Sequence, residues 1–191
     1  MHFYLNYRGT LPSNGSPTQK HVLRQHFHDQ LKELWNHKPL SEYVAYIGRD
    51  AVEEASVRHD DGFSVIEVMG NSYFAPLVTD KLDLLCELDI TMLRPEEPGR
   101  VISGGDIDNR LKTLFDALSM PSHPNQIPAG IASNDANDPV FCLLKDDNLI
   151  SSVTVRCDRL LDPKAPKEVV LLIRASLHAT RMTFGNLGLS S

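Results

Sequence analysis

The chain has 191 residues, of which 41% are hydrophobic and 23% are charged, so it can bury the core of a single compact domain without help from disulfides. A net charge of −6 and a pI near 5.7 argue against a protein that coats nucleic acid nonspecifically, although an acidic metal site would contribute to that charge. No apolar run is long enough to span a bilayer and the N-terminus lacks the pattern of a signal peptide, so we expect a cytoplasmic protein that is not bound to a membrane.

The N-terminal part of the chain predicts one strand and one helix. Residues 3–10 alternate in polarity as a half-buried strand does, and residues 11–17 form a turn rich in Pro, Ser, Asn and Gly. An apolar stripe predicts a helix over residues 17–37. The stripe consists of Val22 or Leu23, Phe27, Leu31, Leu34 and Trp35. We interpret residues 1–60 as an N-terminal extension of a single domain that covers residues 1–191.

Most of the remaining chain predicts strands, because its apolar segments are short and rich in Val, Ile and Leu. The predicted strands are residues 63–69, 82–93, 140–144, 150–157 and 169–177. Helices do not alternate regularly with these strands, so we expect an α+β fold of two layers, with a mixed β-sheet and two main helices. The Pro-rich segment 119–139 predicts a long loop, either a lid or strand-separating wedge or a disordered insertion, and residues 181–191 predict a tail.

The most specific feature is the acidic segment at residues 105–112. If it begins in an extended conformation, Asp106 and Asp108 point to the same side with Cα atoms about 7 Å apart. From Asp108 onwards the apolar spacing becomes helical, with Asp108 or Asn109 placed as the N-cap. Lys112 then follows one helical turn later, where its charge could stabilise an oxyanion or a leaving group on a bound phosphate.

Several carboxylates at this place indicate a site for a hard cation. Asp116 continues the same helix flank, and Asp146 and Asp147 supply further carboxylates downstream. Such a cluster repels itself unless a cation fills it, and Mg²⁺ favours oxygen ligands and polarises phosphodiesters. The alternative interpretation is structural, with Asp106 and Asp108 capping a helix and Asp146 and Asp147 forming a solvated turn.

These residues resemble a known family. The pattern Asp-Ile-Asp-Asn-x-x-Lys-x-x-x-Asp-Ala-Leu at residues 106–118, followed by Asp-Asp-x-x-Ile at 146–150, is similar to the signature of RusA-type Holliday junction resolvases. The resemblance implies a RusA-like fold and a homodimer that cleaves branched DNA with Mg²⁺, or with Mn²⁺. It also implies catalytic roles for four residues, of which the aspartates bind the metal. They are Asp106, Asp108, Lys112 and Asp147.

The basic residues and the cysteines give further expectations. The basic residues beside the motif either grip DNA phosphates or are ordinary surface charges. They are Arg94 and Arg100 before the aspartates, and Arg156, Arg159, Lys164 and Lys167 after them. The three cysteines, Cys86, Cys142 and Cys157, lie in apolar surroundings without metal-ligand spacing, which favours reduced core residues.

Two other enzyme classes carry an Asp-x-Asp motif, and each differs from this chain in its context. In haloacid-dehalogenase-type phosphatases the Asp-x-Asp motif follows an N-terminal strand, whereas here it lies mid-chain after Ser103-Gly104-Gly105. Metal-dependent glycosyltransferases also use Asp-x-Asp, but the α/β alternation of their nucleotide-binding domain is missing. A non-catalytic DNA-binding or assembly protein, and a metal-dependent phosphotransfer enzyme acting on a smaller substrate, both remain as alternatives. The sequence predicts a Mg²⁺-dependent, structure-selective endodeoxyribonuclease.

Overall fold

The computed structural model describes residues 1–43, 64–96, 106–128, 134 and 137–189. Two α-helices and seven strands are seen in these ranges. The helices are α1 (Pro17–Leu34) and α2 (Asp106–Leu118). The strands are β1 (His2–Thr10), β2 (Glu67–Met69), β3 (Ser72–Val78), β4 (Leu84–Arg94), β5 (Val140–Leu144), β6 (Ile150–Arg159) and β7 (Glu168–Ala179).

The larger sheet has four strands in the order β1-β7-β4-β6. β7 pairs antiparallel with both β1 and β4, whereas β4 and β6 run parallel. Along β4 every second residue is buried, as in a strand with one face on the core. The polarity alternation that predicted a strand at residues 82–93 is thus confirmed.

The smaller sheet has three strands in the order β2-β3-β5, with β2 antiparallel and β5 parallel to β3. β3 was not predicted from the sequence. It contains Pro76, which argues against a strand inside a sheet, and nearly all of its residues are buried, so it lacks the alternation that marks a half-buried strand. The α+β class, with two main helices and mixed β pairing, is confirmed, and the strands are divided between two sheets.

Helix α1 begins with a complete capping box. The Ser16 hydroxyl accepts a hydrogen bond from the Gln19 backbone N–H, and the Gln19 side chain accepts one from the Ser16 N–H. The helix buries Leu23, Phe27 and Leu31, and it packs against α2, β5 and β1. Its position beside α2 and β5 brings it to the place where the acidic motifs meet.

The chain after β7 packs on the body of the protein. Leu189 is fully buried, and the Asn186 amide, also buried, donates hydrogen bonds to the carbonyls of Leu82 and Arg181. The N-terminal ammonium of Met1 donates to the Leu189 carbonyl at 3.1 Å. Residues 181–189 therefore pack against the N-terminus and the core of the same chain. Phe184 and Leu187 of this segment are exposed.

Four regions with sequence predictions lie partly outside the described residues. The parts that are not described are residues 44–63, from the N-terminal extension to the start of the predicted strand 63–69, residues 97–105 before α2, residues 129–133 and 135–136 of the Pro-rich segment, and residues 190–191 of the predicted tail. The described part of that segment includes a short 3₁₀ turn at residues 124–126. Within the described ranges, no helix combines the length and apolarity needed to cross a bilayer.

Candidate active site

Helix α2 begins at Asp106, two residues earlier than the sequence predicted. The expectation of an extended Asp106–Asp108 pair is therefore wrong, and neither Asp108 nor Asn109 is the N-cap. Residues two apart on a helix do not share a face, whereas carboxylates in the first turn offset the positive end of the helix dipole. The side chain of Asp106 lies outside the described residues. Leu114 and Leu118 are fully buried, which confirms the apolar stripe of the helix.

One flank of α2 carries charged residues at four-residue intervals. They are Asp108, Lys112 and Asp116, of which the first two are exposed and the third is half-buried. Because a helix rises about 1.5 Å per residue, Asp108 lies about 12 Å from Asp116 along the axis, with Lys112 between them. The helical spacing of the motif thus produces a row of alternating charge that ends at Asp116.

The C-terminal end of α2 is tied to the end of β5. Ser119 forms a parallel bridge with Leu144, and the Met120 N–H donates to the Leu144 carbonyl at 3.0 Å. The turn at residues 146–149 follows directly. The segment between the two acidic motifs therefore begins and ends at the same place in the fold. As a result, Asp146 and Asp147 lie beside Asp116.

Three carboxylates line a cleft of about 80 Å³ at this junction: Asp116, Asp146 and Asp147. Asp146 also caps the following turn, because its Oδ1 accepts a hydrogen bond from the Asn148 N–H at 2.9 Å. Burial of part of the Asp147 carboxyl raises its pKa, and the neighbouring carboxylates of Asp146 and Asp116 raise it further. The cleft therefore has an excess of negative charge that a cation would relieve.

Helix α1 supplies two cations to the same cleft. Lys20 forms an ion pair with Asp116, with 2.7 Å between Nζ and Oδ2. Arg24 is 3% exposed, and its guanidinium donates from Nε to the Ser119 carbonyl at 2.8 Å and from Nη2 to the Asp116 carbonyl at 2.6 Å. The cleft thus combines carboxylates from α2 and the 146–149 turn with basic groups from α1.

The oxygen donors of this cleft suit Mg²⁺ in kind, since Mg²⁺ takes few protein carboxylates and keeps several waters. Among the described side chains, no three of His, Cys, Asp or Glu converge closely enough to hold a metal ion by themselves. Cysteine ligation is disfavoured at the two buried thiols, because burial raises the pKa of Cys86 and of Cys142 to about 12 and keeps them protonated. All three cysteines are free, as the sequence predicted.

The sequence-predicted site residues are only partly brought together. Asp147 lies at the cleft, but Asp108 and Lys112 are absent from its described lining and lie further along α2. The basic residues that follow the aspartates in the sequence lie far from the cleft. β6 begins next to the 146–149 turn, and Arg159 is at its other end, about 30 Å away. Arg156 there pairs with Asp89 at 2.6 Å, and Lys164 pairs with Asp162 at 2.5 Å. Arg100 lies outside the described residues.

Sequence reasoning missed Lys20, Arg24 and Ser119. A signal for Arg24 was present, because it lies between Leu23 and Phe27 on the buried side of α1. A charged residue at such a position needs polar partners, since arginine is rarely buried without them. The identity of those partners depends on the α1–α2 packing, which the sequence pattern alone does not give.

Comparisons with known proteins add no relatives: the chain matches no protein-family model, no curated protein and no solved structure.

Proposed function

We propose that the protein is a Mg²⁺-dependent endonuclease that hydrolyses phosphodiester bonds in branched DNA. The observation that carries the proposal is the meeting of Asp116, Asp146 and Asp147 with Lys20 and Arg24 in one cleft. Carboxylates with excess negative charge suit a divalent cation, and adjacent basic groups suit the phosphate that such a cation accompanies. The resemblance of both acidic motifs to RusA-type resolvases supports DNA as the substrate.

In this proposal the aspartates would bind the metal, and Lys112 would interact with the phosphate. The resemblance implies that Asp106, Asp108 and Asp147 are the metal ligands. Asp116 lies beside Asp147 and would be a further ligand in the cleft, whereas Asp108, about 12 Å from Asp116 along the helix axis, would bind a metal at a separate position on α2. Bound Mg²⁺ would supply Lewis-acid activation of the phosphodiester. Lys112, exposed between Asp108 and Asp116, would stabilise negative charge that develops on the phosphate oxygens or the leaving oxygen.

The proposal includes a partner and a place of action. Paired incisions in a four-way junction need two active sites at a fixed separation, which a two-fold homodimer supplies. Free, mainly buried thiols suit a reducing compartment, so we place the protein in the cytoplasm.

The direct test is incubation of the purified protein with labelled four-way junction, fork and linear duplex DNA. We expect cleavage of the branched DNA in Mg²⁺ or Mn²⁺ and none in EDTA. Binding without cleavage in either metal would favour the non-catalytic DNA-binding alternative. Hydrolysis of small phosphate esters without cleavage of any DNA would favour phosphotransfer on a smaller substrate.

Substitution of single carboxylates tests the metal site. Asp108→Asn and Asp147→Asn each remove one negative ligand, so we expect loss of cleavage with DNA binding largely retained. Asp116→Asn is compared with Asp108→Asn, because of these two aspartates only Asp116 lies beside Asp147 in the structure. Asp162→Asn, at an exposed position beyond the end of β6, is the matched control and should cut normally. Cleavage at the normal rate by both Asp108→Asn and Asp147→Asn would show that the metal lies elsewhere.

A further inference from the structure

Arg24 is a buried charged residue whose guanidinium is only partly hydrogen-bonded by the described residues. The residue is only 3% exposed, and its Nε and Nη2 atoms donate to two carbonyls at the end of α2. Among the described residues, the buried Nη1 atom has no hydrogen-bond partner. A guanidinium carries five N–H donors, and an unpaired buried donor is costly. An occupant that accepts a hydrogen bond at Nη1 would remove this cost.

Capping of α2 explains only part of this arrangement. The last carbonyls of a helix need donors, and Nε and Nη2 provide two. Neutral side chains can do the same without burying a positive charge. The Asp116 carboxylate interacts electrostatically with Arg24, but it already forms an ion pair with Lys20, with 2.7 Å between Nζ and Oδ2. The charge on Arg24 is therefore better explained by an anion from outside the chain.

A second unpaired group lies at the same position. The hydroxyl of Ser119, the residue whose carbonyl accepts from Arg24 Nε, is also buried and has no partner within the described residues. Ser119, Arg24 and Lys20 all line the cleft that contains the carboxylates. Its volume of about 80 Å³ admits several water molecules and hence a phosphate group. The two residues with an unpaired buried donor, together with a lysine, thus line a space of the right size.

We propose that Arg24, Ser119 and Lys20 bind one phosphate group of the DNA backbone and so position it beside the carboxylates. This inference rests on the proposed function and names the residues that hold its substrate. Three carboxylates and two basic groups leave the cleft with one excess negative charge, so a phosphate enters only together with a divalent cation. Lys20 then exchanges its contact with Asp116 for one with the phosphate.

The test measures binding, not cleavage. Labelled four-way junction DNA is titrated with protein in Ca²⁺ and in EDTA, and the dissociation constant is read from fluorescence anisotropy. Ser119→Ala removes an unpaired hydroxyl and should leave thermal stability unchanged or raised, yet weaken binding in Ca²⁺ about tenfold. Lys20→Met should weaken binding to a similar degree. Lys32→Met is the matched control, because it removes another lysine of α1, exposed and paired with Asp138. This variant should bind normally.

Arg24→Lys and Arg24→Gln are informative only if they fold, so the Ser119 and Lys20 variants decide the question. Unchanged affinity in both would overturn the inference, even if the wild-type protein cuts DNA. Tight binding that both variants weaken, without any cleavage, would support the phosphate site and defeat the nuclease instead.

A second measurement separates DNA from free phosphate. Inorganic phosphate with Mg²⁺ is added to wild-type protein and to Ser119→Ala, and the melting temperature is recorded. A rise in the wild type that Ser119→Ala lacks supports a phosphate site at Arg24 independently of DNA. If the wild type neither binds DNA nor responds to phosphate, the site does not exist.

Discussion

His28 is a residue of α1 that contacts β5, where its Nδ1 atom accepts a hydrogen bond of 2.9 Å from the Phe141 backbone N–H. The neutral imidazole can accept this bond, whereas the protonated ring carries hydrogen on both nitrogens and can only donate. Burial lowers the pKa of His28 from its ordinary value of 6.5, with a further lowering by Lys32 that Asp29 and Asp138 oppose. The side chain thus couples the packing of α1 on the smaller sheet to pH.

The sign of this coupling gives a prediction. Because the folded pKa of His28 lies below the unfolded one, the unfolded chain binds more protons, so stability falls as the pH falls below about 6.5 and through the lower folded pKa. In His28→Asn the side-chain oxygen can occupy the place of Nδ1 without titrating. We expect this variant to lose less stability between pH 7.5 and pH 5 than wild type. Urea unfolding at both pH values measures the difference, and equal losses would contradict the role of His28.

Lys112 provides a second prediction for a single residue. If its ammonium stabilises charge in the transition state, Lys112→Ala should slow cleavage about 100-fold, as loss of one oxyanion-stabilising donor does. Binding of junction DNA in Ca²⁺ should change much less. Lys112→Arg should restore only part of the rate, because the planar guanidinium differs from a compact ammonium. Equal losses in rate and affinity would instead identify Lys112 as a phosphate anchor.

At the scale of elements, a buried threonine is one of the contacts that set the position of α1 relative to α2, in addition to the contacts that Lys20 and Arg24 make with the end of α2. Thr113, 1% exposed, accepts a hydrogen bond of 2.8 Å on Oγ1 from the Gly15 backbone N–H, just before α1. It also donates to the Asn109 carbonyl within α2. A Cβ atom at Gly15 would lie 2.7 Å from Thr113 Cγ2, so the loop and the helix are in close contact. This contact holds Lys20 and Arg24 next to the end of α2.

We therefore expect Thr113→Val to destabilise the protein by about 1–3 kcal/mol, because the substitution keeps the shape but leaves the buried Gly15 N–H without an acceptor. Denaturant unfolding gives the free energy. Thr18→Val, at an exposed position of α1, is the control and should change stability by less than about 0.5 kcal/mol. A loss no greater than that of the control would show that water or a shifted loop satisfies the Gly15 N–H.

The elements that could be predicted from the sequence are those with a local pattern. Alternation identified β1 and β4, apolar composition identified β5, β6 and β7, and a helical stripe identified both helices. β3 escaped because burial on both faces removes alternation, and the start of α2 was misplaced because Asp-x-Asp fits either conformation. In the site, the carboxylates were evident as residue types. Their association with Arg24 and Ser119 depends on contacts between residues about 95 apart, which no local pattern shows.

At the scale of the whole molecule, the larger sheet ends in a long edge strand. β6 pairs with β4 on one side and has no strand partner on the other within the described residues. Most of its ten residues are exposed, on both faces of the strand, and Val153 is 41% exposed. Long unpaired edges tend to pair with another chain unless something protects them. An antiparallel pairing of two β6 strands would be symmetric about a two-fold axis.

This pairing would also set the spacing of the active sites. Asp147 lies just before β6, so antiparallel β6 strands would place the two clefts at opposite ends of the joined strands, about 30 Å apart. We expect light scattering at micromolar concentration to give about twice 21.3 kDa. Val153→Lys should weaken the dimer by adding charge to the edge, whereas Leu161→Lys, already 87% exposed beyond the strand, should not. A mass of 21.3 kDa for the protein alone, together with a complex on junction DNA that contains a single copy of the chain, would exclude paired incision and favour a nuclease that nicks one strand at a time.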